Sequence, residues 1–174
     1  RGLIRFEYMV KLGRVPAKLE YFDTPQEIKG FKIAGLSAIS SMSDIANSMY
    51  GTFGKLHELV EEADIVPLGM VCFCDKFKIS KEIMHYTAAA IYDGNVINNS
   101  QLISKSIPDH KAIKVTLSGS YDFMGDVWAG AYAHVRGLKL KVDKNVPPYE
   151  LYIKGPHNTE NPEDYVTEVY MPVK

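Results

Sequence analysis

Two stretches of this chain, eighty residues apart, follow one plan, and that duplication constrains the fold more than any other feature. Pro67-Leu68-Gly69-Met70-Val71-Cys72-Phe73-Cys74 and Pro147-Pro148-Tyr149-Glu150-Leu151-Tyr152-Ile153-Lys154 share proline at their first position and continue as strand-like runs. Val66-Pro67 and Val146-Pro147 set the offset, which also places His85 opposite Tyr165. The second copy carries a carboxylate, Glu150, where the first has Met70.

The surroundings repeat as well. In the first half a strand-like run from Phe31 to Ile39 precedes a helical pattern and two further runs, Met70 to Cys74 and Met84 to Tyr92. The second half offers Ile113 to Leu117, a helical pattern from Tyr121 to Leu138, then Glu150 to Ile153 and Tyr165 to Pro172. The order is βαββ, twice, which predicts an α+β fold of duplicated units with pseudo-two-fold symmetry. An antiparallel sheet with two helices packed on it is the expected arrangement.

Ser43 and Asp44 are candidate N-terminal caps for the first helix, whose apolar stripe is Ile45, Met49, Phe53, Leu56 and Val60. Met124, Val127, Trp128, Ala131, Val135 and Leu138 form the stripe of the second. Gly51 and Gly54 fall inside the first helical pattern, where they suit close helix packing better than a phosphate loop. The strands alternate less cleanly, so both of their faces should be partly covered.

A chain of 174 residues, 46% hydrophobic, can bury a core as one domain or two fused halves. The net charge of −1, without a basic run, gives no general argument for nucleic-acid binding by this region. No apolar run approaches the roughly 20 residues that span a bilayer, and no signal-peptide pattern is present, so a cytoplasmic protein with no membrane partner is expected. Residues 1–28 read as a linker or the end of an upstream element, since Gly2 to Val10 is largely apolar and Gly13 and Pro16 interrupt it. A fused upstream domain is therefore possible. The domain proper is expected over 29–174, with halves 29–94 and 109–174 and a connector at 95–108.

Cys72 and Cys74 are alternate residues of one strand, about 6.5–7 Å apart along the backbone, at the outer limit of disulfide geometry. Only His85 offers a further metal ligand nearby in the pattern, so reduced packing thiols and no metal are expected. Nothing in the chain resembles a glycine-rich phosphate loop, a nucleophile elbow around serine or a His-Glu-x-x-His pair, and no cofactor is implied.

The βαββ-βαββ order, Tyr149-Glu150-Leu151-Tyr152, the Gly155-Pro156 turn and the ending Tyr165-Val166-Thr167-Glu168-Val169-Tyr170-Met171-Pro172-Val173 resemble the GyrI-like small-molecule-binding domain. That family is also known as the AraC-type effector-binding, SOUL-related domain. The resemblance covers residues 29 to 174 and implies an aromatic-lined ligand groove between the two halves. Family members act as effector domains of multidrug-responsive transcription activators, as a gyrase inhibitor, or as stand-alone proteins, some hydrolysing cyclopropane-bearing genotoxins. The glutamate at the place of Glu150 meets lipophilic cations in the first group and activates water in the last, helped by an aromatic side chain.

A carboxylate among apolar side chains loses hydration, and either a bound cation or a proton taken from water relieves the penalty. Tyr152, two residues on, shares the strand face of Glu150, and Tyr165 is expected on a neighbouring strand. The expected surround adds Trp128 and Tyr132 from the second helix, Tyr50 and Phe53 from the first, and Met70 and Cys72 as an apolar wall. Glu168 is read as structural. The expected partner is a small hydrophobic or cationic molecule, sensed or sequestered. Two alternatives stay open: a cofactor-free hydrolase with Glu150 as general base and Tyr152 orienting the electrophile, and a protein-interaction module using the same groove.

Overall fold

The computed structural model describes residues 2–95 and 99–174. The duplication is realised as an α+β chain that divides into two compact units, 1–26, 111–143 and 151–174 in the first, 27–110 and 144–150 in the second. The elements in chain order are α1 (Gly2–Leu12), β1 (Ala17–Tyr21), β2 (Gln26–Ile28), β3 (Phe31–Ser41), α2 (Ile45–Glu62), β4 (Gly69–Lys78) and β5 (Ile83–Tyr92). Then come β6 (Ile103–Ile107), β7 (His110–Gly119), α3 (Met124–Gly137), β8 (Tyr149–Lys154) and β9 (Val166–Val173). β4 and β8 begin eighty residues apart, at Gly69 and Tyr149, so the repeat read from sequence is also a repeat of strand starts.

Within the second unit β3, α2, β4 and β5 form one βαββ copy, with the strands ordered β4-β5-β3-β6. Pairing is antiparallel: Cys74 lies opposite Tyr86, which lies opposite Ala38, while Phe73 lies opposite Thr87, opposite Ser37. Directly paired residues share a face, so Tyr86 and Cys74 look one way and Thr87 and Phe73 the other. The Tyr86 hydroxyl meets Ser48 at 2.7 Å and Thr52 at 2.9 Å, which identifies its face as the one that α2 covers. The run Ala88-Ala89-Ala90 is fully buried on both faces of β5, as the unclean alternation predicts. The small side chains let α2 settle close, with Leu56, Leu59 and Val60 buried.

Two details of α2 differ from expectation. Asp44 stands at the N-cap, but its carboxylate accepts the Asn47 side-chain amide at 2.9 Å instead of capping a backbone N–H. Gly51 and Gly54 have nothing within 4 Å of where a Cβ would stand, so they mediate no close packing.

The first unit repeats the arrangement with β7, α3, β8 and β9 and the order β1-β7-β9-β8. Ile113, Val115 and Leu117 of β7, Val169 and Met171 of β9, and Val127, Ala131 and Val135 of α3 form its core. The helical pattern from Tyr121 resolves into a 3-10 turn, Tyr121–Phe123, capped by the Ser120 hydroxyl, followed by α3.

Segments outside the two copies are structured. Helix α1 is held to this unit by Tyr8, whose ring lies 5.3 Å from Phe123 and whose hydroxyl donates to Asp122 at 3.0 Å. An Arg5–Asp126 ion pair at 2.7 Å adds to the attachment. β1 pairs with β7 from Ala17 opposite Gly119 to Tyr21 opposite Val115. The expected connector contains β6, which pairs with β3, while its residues 96–98 lie outside the described residues. Each added strand therefore lies beside the first strand of its own copy.

Candidate ligand-binding site

Glu150 is 7% exposed and is the most buried carboxylate among the described residues. Its position is set by its neighbours in the second unit. Pro147 and Pro148 enter β8 extended and without N–H donors, and the Pro148 carbonyl accepts the Cys74 N–H at 2.8 Å. Tyr149, 2% exposed, packs its ring 5.2 Å from Phe73 and 6.1 Å from Phe31. Its hydroxyl lies 3.0 Å from Nε2 of His110, whose Nδ1 lies 2.9 Å from the Pro108 carbonyl. A carbonyl only accepts, so Nδ1 donates and Nε2 is left to accept the tyrosine proton. Tyr149 is thus pinned to the Phe73 face, and strand alternation turns Glu150 to the opposite face, that of Cys74 and α2.

Electrostatics agrees with this placement. Burial, the charge of Glu150 and that of Asp75, in that order, push the Cys74 thiol up to about 11. Met70 and Cys72 share the Cys74 face of β4, Met70 half-buried and Cys72 3% exposed. Neither cysteine is in a disulfide. His85 pairs with Lys76 and Ile39 and looks to the other face, away from the cysteines. No group of three His, Cys, Asp or Glu side chains suited to a metal occurs among the described residues. On α2, Phe53 is half-buried, whereas Tyr50 is 86% exposed and stands clear of the buried stripe of Leu56, Leu59 and Val60.

The first unit holds Tyr152, Tyr165 and Tyr132. Tyr152, alternate to Glu150 along β8, packs edge-on against Tyr121 with centroids 5.8 Å apart. Tyr121 also meets Tyr165, 9% exposed, at 5.0 Å. Tyr121 belongs to the 3-10 turn, whereas its sequence pattern reads only as the start of a helix. The signal for its role is Gly155, where a Cβ would come within 2.7 Å of the Tyr121 hydroxyl. Trp128 and Tyr132, one turn apart on α3, lie 6.2 Å centroid to centroid, the indole half-buried and the phenol 45% exposed.

Glu168 is committed elsewhere. It accepts Lys114 Nζ at 3.0 Å and the Tyr170 hydroxyl at 2.7 Å, with the ammonium 4.6 Å from the Phe22 ring centroid. Both side chains of the ion pair are 17% exposed. Its face of β7 and β9 is the one turned away from the core beneath α3.

The family model for the GyrI-like small molecule binding domain matches residues 26–174. No curated protein matches the chain. Among solved structures, the EcmrR C-terminal domain superposes with a TM-score of 0.69 at 20% identity, covering 91% of this chain and 96% of that one. EcmrR in its DNA complex covers 100% of this chain, at 18% identity and a TM-score of 0.70, and this chain spans 63% of it. SAV2435 bound to tetraphenylphosphonium gives 0.63 at 19% identity, covering 89% and 94% of the two chains. A hydrolase from Listeria innocua gives 0.53 at 11% identity, with 97% and 98% covered. At these identities the likenesses describe the fold.

Proposed function

The chain belongs to the GyrI-like small-molecule-binding domain family, and we propose that it binds lipophilic organic cations, with Glu150 as the buried counter-charge, for sensing or sequestration. The observation that carries this reading is a carboxylate only 7% exposed whose charge is felt by the neighbouring Cys74 thiol. A buried carboxylate has lost hydration, and a ligand that supplies a positive charge recovers part of the loss, whereas a neutral ligand does not. Tyr152 follows two residues on along the same strand, and an aromatic face is worth about 0.5–2 kcal/mol to a cation. Lipophilic ions suit such a surround because they give up little hydration on entry. The complex of SAV2435 with tetraphenylphosphonium supports the choice of that ion as probe.

Fluorescence titration of a panel of lipophilic cations, read from the single tryptophan, tests binding. The same incubations, followed by mass spectrometry with a cyclopropane-bearing electrophile, test for turnover. Saturable quenching by the cations without turnover is the expected result. Turnover abolished by Glu150→Gln would instead assign Glu150 as the general base of a hydrolase, with Tyr152 beside it. Absence of any quenching or competition would sink the ligand-binding reading.

A further inference from the structure

A separate cavity of about 220 Å³ lies in the second unit, on the face of its sheet opposite α2. Ile33, Phe73 and Ile107 form its buried apolar floor, between 1% and 3% exposed, and Asp75, Thr87 and Lys105 line its walls. Asp75, an exposed residue two positions after Phe73 on β4, shares this face by strand alternation, and the pairing register shifts beside it, between Cys74 and Lys76. The Thr87 hydroxyl, on a residue 8% exposed, donates to Asp75 at 2.6 Å. Ser37 lies 2.8 Å from the same Thr87 oxygen. Because that oxygen has spent its only proton on Asp75, Ser37 must be the donor, and the two hydroxyls form a chain pointing at the carboxylate. The chain holds the anion at the wall of the cavity.

Lys105 contributes the opposite charge from β6, where it pairs with Ile33 of the floor. An apolar floor flanked by one fixed anion and one ammonium matches a zwitterion that carries a hydrocarbon group. The volume is below the roughly 300–1,000 Å³ of sites for drug-sized ligands, which favours a small ligand. We propose that this cavity is a second ligand site, taking a small zwitterion of the apolar amino-acid class, its ammonium on Asp75, its carboxylate on Lys105 and its side chain on the Ile33-Phe73-Ile107 floor. The site shares no residue with the cation-binding surround of Glu150.

The test is an amide ¹H–¹⁵N titration of the whole chain with L-leucine at millimolar concentrations, with isopentylamine and isovalerate as ligands carrying one charge each. Saturable shifts confined to the Ile33–Ser37 and Phe73–Asp75 segments and β6, weaker by about tenfold or more for either single-charge ligand, are expected. Asp75→Asn and Lys105→Met should each weaken leucine binding by a similar factor while the rest of the spectrum keeps its dispersion. Ile103→Trp, at a 44% exposed position of the rim, should block binding without touching either charge. The proposal is overturned by an absence of saturable shifts, by equal binding of all three ligands, by leucine shifts that survive both charge variants unchanged, or by shifts that map to β8 and β9.

Discussion

Burial, reinforced by the charge of neighbouring Glu150, pushes the Cys74 thiol up to about 11. The thiolate is the reactive form, so Cys74 should alkylate slowly at neutral pH and faster as pH rises toward that value. Glu150→Gln should lower the value without restoring the ordinary one near 9.0, because burial is the larger cause. Peptide mapping after timed iodoacetamide exposure across pH checks this. An unchanged profile in the variant would mean that Glu150 is not charged beside the thiol.

The same shift has a consequence for stability. The folded thiol holds its proton more tightly than the unfolded one, so the contribution of the neutral thiol is intact below pH 9.0. It declines as pH rises toward about 11 and then levels off. In Cys74→Ser that part of the decline should vanish from denaturation curves recorded between those pH values.

Glu168 and Glu150 should separate cleanly. Glu168→Ala strips Lys114 of its carboxylate partner at 17% exposure and should cost about 2–3 kcal/mol of stability, less than the loss of a partner from a fully buried pair. Affinity for tetraphenylphosphonium should stay within about twofold, far less than the tenfold expected from the loss of about 1.4 kcal/mol. Denaturant midpoints together with fluorescence titration measure both. A Glu168 variant that folds normally but loses the ligand would move the anionic role to β9.

Gly51 and Gly54 lie in the interior of α2 with open space where a Cβ would stand. Replacing either by alanine should stabilise the protein by about 0.5–1 kcal/mol, because alanine loses less backbone freedom on folding. A fall in melting temperature would reveal a contact that the free space does not suggest.

The repeat was legible because apolar spacing and the paired prolines survive in both copies, and it located β4 and β8 to the same strand start. Both edge strands escaped it. Ile103-Ser104-Lys105-Ser106-Ile107 is exposed along its first four residues and carries no core-facing alternation, whereas β1 does alternate, Ala17 and Leu19 packing on the core of its unit, but in five residues that follow Gly13 and Pro16 and so read as linker. In the candidate site, Glu150 was legible as a carboxylate in a place where its counterpart has methionine. Tyr50 was not distinguishable from Phe53, because helical spacing names a stripe and leaves its flanks undetermined. Tyr121 became visible only once Gly155 and the 3-10 turn brought its ring to Tyr165 and Tyr152.

The central claim is that Glu150 selects for positive charge, and its most direct measurement is the affinity of tetraphenylphosphonium relative to neutral triphenylphosphine oxide, in the wild type and in Glu150→Gln. The phosphonium donates no hydrogen bond, so the preference rests on Coulomb attraction, about 1.5–3 kcal/mol at an effective dielectric near 20 and a separation of about 6–10 Å, and the wild type should prefer the cation by roughly tenfold to a hundredfold. In the variant the preference should fall to near unity, through weaker binding of the cation and, where the introduced glutamine amide donates to the phosphine-oxide oxygen, tighter binding of the neutral compound. A cation preference that persists undiminished in Glu150→Gln would contradict the account.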